Sequence, residues 1–115
     1  MKRDMDIVRN LLLRAEAADG SIDINDPIET YHARVMIDAG LVEGRISDEV
    51  TSDAPRHSHI HNLTWAGHDF LDAARSDTMW RAAKEKILKP GVSWTFELLK
   101  ETLKVLARQQ LGLPE

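Results

Sequence analysis

The chain has 115 residues, 43% of them hydrophobic, which suits one compact domain with a modest core. It has no cysteine, so disulfides, thiolate metal sites and thiol nucleophiles are excluded. The formal net charge of −4 is unevenly spread: residues 19–56 carry three basic and nine acidic groups, a local excess that opposes attraction to nucleic acid or to an anionic membrane.

At the start of the chain Met5, Val8, Leu11, Leu12 and Ala15 recur at helical spacing behind Asp4, whose carboxylate suits a helix N-cap. The spacing predicts a helix over residues 5–18. The opening "MKRDMDIVRNLLL" sets Asp4 and Asp6 beside the apolar run and has no small-residue cleavage site, so it does not read as a signal peptide. No apolar stretch reaches the length of a membrane span, and the expected location is the cytoplasm. "DGSIDIND" then mixes turn formers with an alternation at Ile22 and Ile24, predicting a turn and a brief extended piece. Asp26-Pro27 opens a second helix, because Asp accepts from the free first-turn amides and proline's fixed φ fits the first helical position. That helix runs to about Ala39, with Ile28, Tyr31, Val35 and Met36 expected to face inward and Gly40 ending it in the left-handed conformation.

"LVEGRI" and "SHIHNL" flank the polar stretch "SDEVTSDAPR", a hairpin with a long tip. If Ile60 points inward, His57, His59 and His61 share the solvent face; Leu63 has their parity, so a twist or bulge is expected before the strand ends. Thr64 is placed to cap a helix through "WAGHDFLDAA", and Ser76 or Asp77 opens "TMWRAAKEKILK", where Trp80, Ala83 and Ile87 are helically spaced. After Pro90-Gly91, Ser93 is expected to open a last helix, in which Phe96, Leu99, Leu103 and Leu106 follow the spacing of a packing seam.

The order is helix, short strand, helix, hairpin and C-terminal helices. This is a mainly α chain with a small β-hairpin, an α+β, winged-helix-like domain over residues 1–89 with a C-terminal helical extension over residues 90–115. The extension is read as packing on the domain or joining two chains into a homodimer. The usual motif has a further helix before its recognition helix, and only "INDPIE" is available for it here.

"MKRDMDIVR", "HARVMIDAGLVEG" and above all "LTWAGHDFLDAARSDTMWRAAKEKI" resemble a bacterial and phage family, domain of unknown function 2513, over roughly residues 1–88. The resemblance implies a small winged-helix-like protein often encoded in mobile elements, with a regulatory role, and it carries over no catalytic residues.

The three histidines could approach a metal ion from one strand face, but alternate residues also describe a half-exposed strand, and no ligand shell is evident; the reading is a solvent-facing strand without metal or cofactor. No nucleophile elbow, phosphate loop or HExxH is present, and His68 and Asp69 diverge by about 100° on a helix, so no catalytic residues are assigned and the protein is not expected to be an enzyme. The layout suggests binding to double-stranded DNA. Thr30, His32 and Arg34 of the second helix would enter the major groove, and Arg45 and Arg56 of the hairpin would meet the backbone. The acidic middle segment is the obstacle, with Asp48, Glu49 and Asp53 set to repel phosphates. The alternative is a non-enzymatic protein-interaction module, or an inhibitor with an acidic binding surface, meeting an unnamed protein partner. Phe96, Leu99, Leu103 and Leu106 are the expected dimer interface.

Overall fold

A computed structural model describes residues 2–19, 21–47, 57–87 and 95–112. The chain divides into two compact units, Met1–Asp69 and Phe70–Glu115. Its elements are five helices and one small antiparallel sheet, an α+β arrangement of the winged-helix kind with a helical C-terminal part.

In the first unit, α1 (Met5–Ala17) starts where the Asp4 side chain accepts from the Asp6 amide, and Met5, Val8, Leu11, Leu12 and Ala15 are its buried face. β1 (Ile22–Ile24) follows. α2 (Pro27–Asp38) is capped by Asp26, which accepts from the Ile28 and Glu29 amides, and it ends at Gly40 with φ +77°, as its sequence predicts. β2 (Val42–Ser47) and β3 (His57–Leu63) form the hairpin. β3 lies centrally in the sheet order β1-β3-β2, so the short piece at Ile22 and Ile24 is a third strand.

The expected bulge is present. Val42 pairs with Leu63 and Glu43 with Asn62, but Gly44 pairs with Ile60, so β3 spends one extra residue, His61, against β2. That shift lets Ser58, Ile60 and Leu63 all be buried although Leu63 has the parity of the histidines.

The inward face of α2 differs from expectation. Its buried residues are Thr30, His32, Ala33 and Met36, whereas Ile28 is 50% exposed and Tyr31 and Val35 are half-buried. Of the expected four, only Met36 turns inward. Two apolar arcs compete on this helix, and the polar members of the chosen one are satisfied: the Thr30 and Ser58 hydroxyls share a buried hydrogen bond of 3.3 Å, and His32 is bonded at both ring nitrogens. With those bonds made, burying the two polar groups carries little penalty.

α3 (Trp65–Ala74) is capped by Thr64, whose hydroxyl accepts from the Gly67 amide at 3.1 Å. In the second unit, Ser76 accepts from the Met79 amide at the start of α4 (Asp77–Ile87). Phe70 meets Trp80 edge-on with ring centroids 6.1 Å apart and Phe96 at 4.8 Å. Thr95 caps α5 (Phe96–Gln110), accepting from the Leu98 amide; the expected opener, Ser93, lies outside the described residues.

Candidate functional site

Four of the five residues expected to touch DNA can be placed against that expectation, and two fail it. Thr30 is 5% exposed and His32 1%, so neither side chain reaches a groove. His32 Nδ1 lies 2.7 Å from the Ile28 carbonyl and must donate to it; Nε2 accepts the Asp4 amide at 2.8 Å. The ring is therefore a neutral bolt joining the start of α1 to the first turn of α2. Arg34 is exposed on α2. Glu29, in the first turn of α2, is held by Arg14 of α1 at 2.6 Å. Arg45 is exposed on β2, and Arg56 lies outside the described residues.

Successive helical residues turn by 100°, which sets Tyr31 at the middle of the outward arc of α2, with Ile28 and Val35 on one side of it and Arg34 and Asp38 on the other. Three of the residues expected in a core stripe thus lie on the outward arc, Ile28 exposed and Tyr31 and Val35 half-buried. Trp65, at the head of α3, is 84% exposed.

Of the expected dimer seam, Leu99 and Leu103 are fully buried within the single chain and so offer nothing to a second copy, while Phe96, which lies against Phe70, and Leu106 are half-buried.

The outer face of the sheet gathers the histidines as expected and adds partners the sequence reading missed. Register sets Arg45, His59 and Asp23 side by side across β2, β3 and β1, and Ser47 beside His57. Arg45, Ser47, His57 and His59 line a shallow cavity of about 290 Å³, floored by Ile46 and Ser58. His59 Nδ1 lies 2.5 Å from Asp23 Oδ1, its Nε2 lies 3.1 Å from Ser21 Oγ, and its ring centroid is 4.6 Å from that of His61. Among the described residues no group of three or more histidine or carboxylate side chains is arranged to hold a metal ion. Ser21 and Asp23 were legible in principle: in "SIDI" they alternate with Ile22 and Ile24 and so share the face opposite the core.

The family model described as "Hypothetical protein (DUF2513)" matches residues 2–93. A Haemophilus influenzae protein named "Uncharacterized protein" is 28% identical over 121 residues, covering 97% of this chain and 100% of its own. No solved structure matches the chain. Among the described residues no helix is long and apolar enough to cross a membrane.

Proposed function

The chain belongs to the DUF2513 family, and on that premise we propose that it is a cytoplasmic binding protein that docks on another protein through α2. The observation that carries this reading is the outward arc of that helix: Ile28, Tyr31 and Val35 make an apolar strip with Arg34 at its edge. Tyrosine and arginine beside aliphatic groups such as the exposed Ile28 and half-buried Val35 have the character of interface anchors, because they join large contact area to hydrogen-bonding reach. A groove-reading helix needs instead polar and basic side chains for base edges and phosphates. The acidic excess over residues 19–56 favours a partner with a basic rim, since complementary charge speeds encounter and rejects wrong partners.

Benzoylphenylalanine placed at position 31 and irradiated in cells tests the proposal. A single protein adduct is expected. The purified adduct partner should bind the unmodified chain and lose binding to the Ile28→Asp, Val35→Asp double variant. Absence of any protein adduct sinks the reading.

A second reading, binding to double-stranded DNA, is favoured by the winged-helix-like strand order and by Arg34 and Arg45 lying exposed on the helix and hairpin that would meet the duplex. Its signature is a gel shift at low salt that weakens with added salt and is lost in the Arg34→Ala, Arg45→Ala variant.

A further inference from the structure

The outer face of the sheet holds a hydrogen-bonded chain in the order Ser21, His59, Asp23. A carboxylate only accepts, so the 2.5 Å contact with Asp23 places the imidazole proton on Nδ1. In the neutral ring Nε2 then carries the lone pair, and the Ser21 hydroxyl 3.1 Å away is placed to donate to it. Three separate devices set this up. Register puts Asp23 directly opposite His59. Strand alternation puts Ser21 on the same face as Asp23, two residues along. The turn after α1, in which Asp19 takes φ +56° and the Ser21 amide donates to the Ala18 carbonyl, delivers Ser21 to the head of β1.

We propose that Ser21 is a nucleophilic serine that accepts acyl groups from activated esters and thioesters, with His59 as its general base and Asp23 as the residue that positions His59. Ser21 Oγ bonds to the acyl carbon while its proton passes to His59 Nε2, and the C–O or C–S bond to the leaving group breaks, with the electron pair departing on that group. His59 releases that proton to solvent; water then attacks the seryl ester as His59 Nε2 takes its proton, and His59 returns that proton to Ser21 Oγ as the C–O bond of the ester breaks, restoring the hydroxyl and freeing the carboxylic acid. Geometry also limits the substrate class. Ser21 is exposed, and the His59 and Asp23 side chains are 32% and 81% exposed, so the oxyanion is solvated by water. Such a site suits acyl donors whose leaving groups depart as stable anions, an aryl oxide or a thiolate, and not unactivated amides.

The test uses the full chain and p-nitrophenyl acetate, following p-nitrophenolate release and locating the acetyl group by peptide mass spectrometry. The expected adduct is on Ser21, absent in Ser21→Ala. His59→Gln should slow acetylation on the order of 100-fold, the usual contribution of a positioned base, while His61→Gln leaves it unchanged. Asp23→Asn should slow acetylation and move the His59 ring away from the Nδ1–H tautomer, read by nitrogen-15 NMR, with Asp23→Glu restoring part of both. These side chains stand on the solvent face, so circular dichroism should show each variant folded. Acetylation of lysines or of the terminal amine alone, equal acetylation of Ser21 in His59→Gln, or an unchanged tautomer in Asp23→Asn would each overturn the assignment.

Discussion

Replacing His32 dissects the bolt between α1 and α2. In His32→Ala the Asp4 amide loses its acceptor, and an unsatisfied, part-buried donor costs about 1–3 kcal/mol. The side chain is 1% exposed, so truncation also leaves a void; at about 24 cal/mol per Å³, a ring-sized space on the order of 60 Å³ adds roughly 1.5 kcal/mol. The total is about 2.5–4.5 kcal/mol. The two nitrogens can then be separated. Glutamine can bring an amide oxygen near the place of Nε2 and keep the Asp4 bond, while giving up the bond to the Ile28 carbonyl, which retains its own helical partner. Asparagine keeps a donor near the place of Nδ1 but does not reach Asp4. The expected order of loss is Gln, then Asn, then Ala, measured from urea midpoints, with exchange of the Asp4 amide as the local probe. An Ala variant within about 1 kcal/mol of the parent, or Asn as stable as Gln with Asp4 still protected, would refute the two-bond account.

A Cβ built at Gly67 meets the Leu41 carbonyl oxygen at 2.0 Å, so Gly67→Ala must shift backbone and should cost about 3 kcal/mol or more, read as a fall in Tm. Leu99→Ala should lose ~2–5 kcal/mol by leaving a cavity at a fully buried site. Leu99→Glu with Leu103→Glu should unfold the helical unit, seen by circular dichroism, and soluble folded monomers from that pair would restore the seam as an interface. Trp65→Ala, at an 84% exposed position, should change stability by less than about 0.5 kcal/mol in the same denaturation assay.

Much of the framework was legible because its signals are local. Asp4, Asp26-Pro27, Gly40 and Thr64 satisfy helix ends within a few residues of themselves, and the parity clash between Ile60 and Leu63 already called for a twist or bulge before the strand's end, which register places at His61. The family resemblance read from "LTWAGHDFLD" is likewise upheld. The inward face of α2 was not legible, because hydropathy favours Ile28, Tyr31 and Val35, and the deciding bonds from Thr30 and His32 go to Ser58 and Asp4, each 28 residues away. The same long-range partners remove two expected DNA contacts. The chain of Ser21, His59 and Asp23 escaped for a similar reason: strand parity gives the face of each residue, but only cross-strand register brings "SID" beside the histidines. The leucine seam of α5 was read correctly as apolar and periodic, yet spacing alone cannot distinguish a partner in the same chain from one in a second copy.

The bonds at Thr64 also determine what the hairpin can tolerate. Its amide donates to the Leu41 carbonyl at 3.0 Å, and its hydroxyl, with Oγ1 2.5 and 3.0 Å from the Gly40 and Leu41 carbonyl oxygens, donates to the same pair of carbonyls. The end of α2 and the start of α3 are thereby tied at the foot of β2 and β3, independently of the residues that join the strands' far ends. Substitutions on the outer face of β2 or β3 that leave Thr64 in place should therefore leave the end of α2 joined to the start of α3, because the tie is made by Thr64 with two backbone carbonyls and borrows nothing from the strands' outward side chains.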